Sequence, residues 1–477
     1  MSKQQPTTST AAATAPKREA EALFHPRSIA VIGASSDASR IGGRPIDYTR
    51  RAAYSGKLYP VNPNQREVQG YPSYPSISAI PGEVDLALIA LPAKAAPAAV
   101  TECLAKGVKA IVMYSSGFAE IDAAGKAVQE EMLRQCKAAG VLLLGPNCLG
   151  FMNVGAGVML TFSTILESIW PQQGKVSVVS QSGAVGAYCA ALAMERGLGL
   201  GLWVSTGNEA DIDVARCIQW FAEDEATGPI MAYLEGCKST ERLRTALASA
   251  SRNGKPVIML KSGHTDFGKR AVAAHTGSDA GDDALYDEIF RSTGTLRARS
   301  IEEQVDLAYA CANGVFPRGN RLCTISISGG VGVLLADAAH AAGLEMPPTQ
   351  EATRHEIKQL IPFSTPINPV DVTAQIINDI GAFNRILALL ASDPSFDTVI
   401  IFLQQLGKVD RHFQGFRATM LEAREKYPEK LFVLCGGYSP QNRAEMEKSG
   451  FLVFEEPLRA IAAVSALVRF RQMNSGN

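Results

Sequence analysis

The chain has 477 residues, too many for one hydrophobic core and enough for about three domains of ordinary size. Its 46 basic and 47 acidic residues leave a net charge of −1 without any basic run, which argues against nucleic acid or a membrane surface as partner. No apolar stretch approaches a membrane span, and the nine cysteines stand singly without CxxC spacing, as expected of a reduced, cytoplasmic protein without a structural metal.

Residues 1–21 are rich in Ala, Thr, Ser and Pro and lack an apolar segment, which predicts a disordered tail and not a secretion signal. A first domain is predicted over residues 22–152. Ser28 to Ile32 is a short β-branched run ending in the turn Gly33-Ala34-Ser35-Ser36, a buried parallel strand feeding a helix. Further strands are predicted at Leu58 to Val61, Val84 to Leu91, Ala110 to Tyr114 and Val141 to Leu144, with helices at Ala95 to Lys106 and Ala123 to Ala138. That alternation predicts a doubly wound parallel sheet, which binds nucleotides at the carboxyl edge of its strands. The first turn, followed by Gly42-Gly43, is not the GxGxxG of a dinucleotide site. The second strand ends Pro60-Val61-Asn62-Pro63, without an acidic residue for a ribose 2′-hydroxyl. Both features count against NAD. A turn of small residues still seats phosphates on backbone N–H groups, although Gly42-Gly43 also reads as a plain flexible loop.

A second domain is predicted over residues 153–314. Lys175 to Ser180 is a strand, and Gln181-Ser182-Gly183 opens a helix whose first N–H groups favour an anion, each contact contributing roughly 0.3–2 kcal/mol. A plain Ser182 N-cap is an equal reading. After the strand Gly201 to Ser205, Glu209, Asp211 and Asp213 are read as carboxylates that stabilise a helix start. Pro229 to Leu234 is a buried strand with Glu235 at its carboxyl end, where a carboxylate can accept the N–H of a histidine and fix its tautomer. Val257 to Leu260 leads through a glycine-broken loop to Ala274-His275-Thr276-Gly277-Ser278. A histidine among small residues at the end of a loop is exposed enough to act as a nucleophile at neutral pH; capping a turn is the plainer alternative.

The third domain, 315–477, begins with the strand Leu322 to Ile327 and a second anion-ready turn, Ser328-Gly329-Gly330-Val331-Gly332. Strands at Asp397 to Phe402, Leu431 to Leu434 and Leu452 to Phe454 follow, then a last helix, Pro457 to Met473.

Taken together, the stretches Ser28 to Ser35, Tyr59 to Pro63, Ser116-Gly117-Phe118, Gly145 to Gly150, Ser180-Gln181-Ser182-Gly183 and His275-Thr276-Gly277-Ser278 resemble the NDP-forming acyl-CoA synthetases, the superfamily of succinyl-CoA synthetase and ADP-forming acetyl-CoA synthetase. The resemblance implies an α/β chain of three consecutive doubly wound domains: a Rossmann-like CoA-binding domain, then two flavodoxin-like ligase domains. It places CoA against Gly33, Ala34, Ser35, Gly42, Asn62 and Pro63, and against Pro92, Ser116, Gly117, Asn147 and Cys148. Relatives often carry a lysine after Asn-Pro; here the residue is Asn64, leaving Arg66 or Arg40 to meet a CoA phosphate. His275 is implied as a transient phosphohistidine steadied by Glu235, with phosphate seats at Ser182-Gly183 and Gly329-Gly330.

The implied reaction joins a small carboxylic acid to CoA at the expense of ATP, giving acyl-CoA, ADP and phosphate. An acyl phosphate is the activated species that CoA thiolate attacks, and His275 relays the phosphoryl group. No stretch reads as an ATP-grasp module, so ATP and Mg²⁺ are expected on a separate ATP-grasp β subunit, the chain being α-subunit-like and part of an oligomer. A non-catalytic CoA- or nucleotide-binding regulatory protein is the alternative, opposed by the intact His275 and Glu235.

Overall fold

Short apolar runs alternating with helical stretches build the parallel sheets of the computed structural model, which describes residues 15–276 and 279–474. The described chain falls into two units. One runs through Lys255 and adds Lys261–Asp287; the other holds Pro256–Leu260 and everything from Glu288 onward.

In the first unit, β1 (Ser28–Ile32), β2 (Lys57–Val61), the two-residue hairpin partners β3 (Glu67–Val68) and β4 (Tyr71–Pro72), β5 (Leu86–Ile89), β6 (Ala110–Met113) and β7 (Leu142–Leu144) come first. β1, β2 and β5–β7 form a parallel sheet in the order β2-β1-β5-β6-β7. β1, β5, β6 and β7 are buried at every residue, as strands covered by helices on both faces must be. The order reverses at β1, and a doubly wound sheet takes its ligand outside the carboxyl ends of the strands at such a reversal.

The second sheet of this unit holds β8 (Gly150–Asn153), β9 (Val158–Thr161), β10 (Gln173–Ser180), β11 (Leu200–Ser205) and β12 (Ile230–Leu234). β10 lies parallel to β11 and β12, and the β8–β9 hairpin adds antiparallel to β11. Gly150–Asn153 therefore pairs in the second sheet, although the sequence places a boundary at 152; the free edge of β11 takes it up. Backbone bonds fasten the two sheets together: Asn208 N–H donates to the Pro146 carbonyl at 2.9 Å and Ala210 N–H to that of Gly145 at 3.1 Å.

The expected disordered tail is corrected over its last part. Ala15–Phe24 is a helix, Glu19 pairs with Arg216 at 2.9 Å, and Phe24 is buried edge-on to Phe151 and Trp220. An alanine-rich segment costs little backbone entropy to wind, and the aromatic at its end supplies the burial that holds it.

In the second unit, which holds all but the last residue of β13 (Val257–Lys261), that strand pairs in parallel with β14 (Leu296–Ala298). β15 (Leu322–Ser326), β16 (Val370–Asp371), β17 (Thr398–Phe402), β18 (Leu431–Cys435) and β19 (Leu452–Phe454) form a parallel sheet in the order β16-β15-β17-β18-β19. Arg459 clamps the buried Asp306 through two bonds of 2.6 and 2.8 Å.

Candidate active site

His275 does not end a loop, as the sequence suggested; it lies in the last turn of the helix Asp266–Thr276. Gly277 and Ser278 lie outside the described residues. The Nδ1 of His275 stands 3.4 Å from Oε2 of Glu235, the residue that follows β12. Glu235 is buried, and its other oxygen accepts the Tyr233 hydroxyl at 3.2 Å. Its backbone is held from two sides. The buried Lys261 ammonium donates to the Glu235 carbonyl at 2.7 Å, and the Glu235 N–H donates to Oε1 of Gln181 at 2.6 Å. A carboxylate fixed in this way can accept an Nδ1–H and so set the tautomer of the ring.

Ser182 is the N-cap of the helix Gly183–Glu195; its hydroxyl accepts the Val185 N–H at 3.3 Å. The N-cap reading of this turn holds, and the cap satisfies one N–H of the helix while leaving others of its first turn. A cavity of about 680 Å³ brings Ser182, Gly183 and His275 together with Pro92, Ser116, Asn147 and Cys148. The Asn147 amide donates to Oδ1 of Asn208 at 3.1 Å, which ties the first sheet's turn to the second's. Cys148 is 3 % exposed, and burial pushes its thiol up to about 12, so it packs as a thiol and is no nucleophile.

The other residues expected at CoA are not among those that line that cavity. Gly33 has φ +88°, and a Cβ there would stand 2.4 Å from the Ala90 carbonyl oxygen. Gly42 folds back so closely that its own Cβ would meet the Gly33 oxygen at 2.0 Å. Ser35 N–H donates to the Gly42 carbonyl at 3.3 Å, and the Asn62 amide donates to the Ala34 carbonyl at 2.8 Å. Pro63 is exposed beside them, and Gly117 N–H is held by Oε1 of Glu120 at 2.5 Å. Gly329 and Gly330 open the helix Gly329–Ala341 in the second unit. The Ser326 hydroxyl there donates to the Ser328 carbonyl at 2.7 Å, as Ser180 does to Ser182 at 2.6 Å.

Sequence reasoning missed Glu209. Of the three acids read as helix-start carboxylates, Asp213 is indeed the N-cap of Val214–Glu223, and Asp211 pairs with Arg216 at 3.0 Å. Glu209 instead turns inward, is 5 % exposed, and lines a second cavity of about 600 Å³ with Glu235 and His275. Desolvation pushes its carboxyl up to about 7 against the lowering effect of the Gln181 amide.

Residues 27–154 match the family described as CoA binding domain, and residues 173–311 the one described as Succinyl-CoA ligase like flavodoxin domain. The chain is 35 % identical over 452 residues to the Pyrococcus furiosus Acetate–CoA ligase (ADP-forming) II subunit alpha, covering 94 % of this chain and 97 % of that one. The I subunit alpha of the same organism is 34 % identical, again over 94 % and 97 %. Among solved structures, the Korarchaeum cryptofilum dinucleotide forming Acetyl-coenzyme A synthetase 1 in complex with phosphate and ADP superposes with a TM-score of 0.85 at 30 % identity, over 96 % of this chain and 97 % of that one.

Proposed function

The chain belongs to the NDP-forming acyl-CoA synthetases, the family of the ADP-forming acetate–CoA ligases, and from that premise we propose that it is the α-subunit-like half of an acid–thiol ligase whose phosphoryl carrier is His275. In the acyl-CoA-forming direction, the γ-phosphoryl group passes from ATP to a His275 ring nitrogen, releasing ADP. It passes next to the carboxylate of a small acid, giving an acyl phosphate and free histidine. CoA thiolate then attacks the acyl carbon, and inorganic phosphate leaves. ATP and Mg²⁺ are assigned to a separate ATP-grasp subunit; the match to chains named subunit alpha over 97 % of their length supports that division.

The observation that carries this reading is the contact of 3.4 Å between Glu235 and His275 at a cavity that also holds Ser182, Pro92 and Cys148. Glu235 stabilises the imidazolium that phosphoryl transfer creates. The N–H groups of the Gly183 helix hold phosphate oxygens by fixed dipoles; within the second unit, the Gly329 helix opens on a turn of the same kind. Incubated with acyl-CoA and inorganic phosphate, the chain is expected to gain an acid-labile, base-stable phosphate. His275→Ala is expected to lose the label while CoA still binds in calorimetry. A label that persists in His275→Ala moves the carrier elsewhere and defeats the reading.

A further inference from the structure

Every hydrogen-bonding position of the Gln181 carboxamide is taken. Its Oε1 accepts the N–H groups of Glu235 at 2.6 Å and Gly236 at 3.3 Å. Its Nε2 donates to Oε2 of Glu209 at 2.8 Å and to the Gly236 carbonyl at 2.7 Å. The amide has one workable orientation, since a flip would set NH₂ against two N–H groups and its oxygen against a carbonyl and a carboxyl. Glu209 is fixed in turn. Its Oε1 accepts the Thr206 hydroxyl at 3.0 Å and the Val214 N–H at 2.9 Å, and the Lys238 ammonium holds its backbone carbonyl. The residue is 5 % exposed and sits at φ +54°, a region that a glutamate rarely occupies unless its surroundings force it there.

We propose that Glu209 and Gln181 are a positioning pair for the histidine relay: Glu209 sets the Gln181 amide, and the amide sets the strand end from which Glu235 reaches His275. Neither residue exchanges a proton or a phosphoryl group. The inference rests on His275 being the phosphoryl carrier. Its chemical content is complementarity, because an amide facing a carboxyl carries one donor and one acceptor to the shared bond. The same complementarity survives when Gln181→Glu and Glu209→Gln are combined. The carboxamide then stands at position 209 and donates to the carboxylate at position 181, while its oxygen still accepts from Thr206 and Val214. At the Gly236 carbonyl the donated bond of 2.7 Å is replaced by a contact between two oxygens, so the exchange restores the pair without fully restoring the wild type.

The experiment measures the rate of acid-labile labelling at saturating acyl-CoA and phosphate in the full chain. The wild type is compared with Gln181→Glu, Glu209→Gln and the double exchange, and His275→Ala is the blank. Gln181→Glu sets two carboxyls face to face, so it is expected to slow labelling by about a hundredfold, the scale of a displaced reacting group. Its loss is expected to deepen with rising pH, because two facing carboxyls can share a proton only while one stays protonated. Asp213 and Lys238 are the nearby charges that both variants keep. Glu209→Gln is expected to slow labelling by about tenfold, and the exchange to recover at least about tenfold over Gln181→Glu. The KM for acyl-CoA is expected to stay put throughout, as a residue that merely supported the cavity would not leave it. Should one single variant fail to fold, the other probes the same bond from its opposite side. Labelling of both singles at the wild-type rate, or an exchange no faster than Gln181→Glu, overturns the pair and leaves the relay standing. A wild-type chain that takes no label overturns the relay and the pair with it.

Discussion

Glu235 and His275 meet with 3.4 Å between Oε2 and Nδ1, yet the carboxylate side chain is 7 % exposed and the imidazole 64 %. One partner is set in the protein and the other faces the cavity. The buried partner is therefore placed to set the tautomer of the exposed one. Glu235→Gln keeps the shape, but its oxygen or its NH₂ must face Nδ1, and neither carries the charge that balances an imidazolium. Labelling of His275 is expected to slow by about 10²-fold, within the range of a lost acid–base or orienting group. Thermal stability should change little beside that. Quench-flow measurement of the phosphohistidine checks it, and an unchanged rate assigns Glu235 to packing alone.

Gly33→Ala is expected to be costly for a different reason. The backbone there has φ +88°, and the new Cβ would stand 2.4 Å from the Ala90 carbonyl oxygen, with Leu91 at 3.0 Å. The contact lies between the turns after β1 and β5, where the sheet order reverses. Strain and overlap together should destabilise the chain by about 2 kcal/mol or more, and CoA affinity should fall because the turn must open. Denaturant unfolding reads the first effect and calorimetry the second.

Much of this was legible along the chain because local pattern and tertiary role agree there. Ile29 to Ile32, Ala110 to Met113 and Leu431 to Leu434 are apolar runs too short for helices and buried throughout. Glu235 was readable because a carboxylate just past a buried strand has one edge to occupy. What escaped depends on partners distant in sequence. Gly150–Asn153 looks like the tail of the first domain until β11 offers its edge. Ala15 to Phe24 looks like low-complexity tail until Phe24 meets Phe151 and Trp220. Glu209 sits in the same acidic run as Asp211 and Asp213, and composition cannot tell them apart. The difference is a backbone at φ +54° after Gly207 at φ +60°, which turns one side chain inward. The glycine was the available signal.

The raised carboxyl of Glu209 gives the stability a pH dependence of known sign. Its ordinary value is 4.5, and burial in the folded chain pushes it up to about 7. Between those values the folded state holds the proton and the unfolded state does not. Stability from this group is therefore complete below about pH 4.5 and lost as pH rises through about 7. The loss is on the order of 3 kcal/mol. Denaturant unfolding of the wild type and of Glu209→Gln, compared at each pH from the acid side to pH 8, isolates the group from the other carboxylates. The difference between the two is expected to drift in the variant's favour as pH rises. A constant difference means that Glu209 titrates normally.

The ligand of the first sheet is expected to be CoA, with its 3′-phosphate contributing little. Asn62 stands where a dinucleotide site needs a carboxylate, and its side chain is already committed. Its amide donates to the Ala34 carbonyl at 2.8 Å and its oxygen accepts the Asn64 N–H at 2.9 Å. Asn62 offers no carboxylate to accept a ribose hydroxyl pair. Asn64 carries no charge for a phosphate, and the nearby cations are poor substitutes. Arg40 is three-quarters exposed and shares an exposed ion pair of 3.4 Å with Asp37, and Arg66 is exposed as well. Exposed pairs of this kind contribute up to about 1 kcal/mol, a factor of about five in affinity. Calorimetry should therefore show CoA and dephospho-CoA binding within about fivefold of each other, and NAD not binding at micromolar concentration. Arg40→Ala and Arg66→Ala should each stay inside the same factor. A loss well beyond it on removing the 3′-phosphate assigns that phosphate to whichever arginine variant erases the difference, and micromolar NAD binding without CoA binding defeats the assignment of this sheet to CoA.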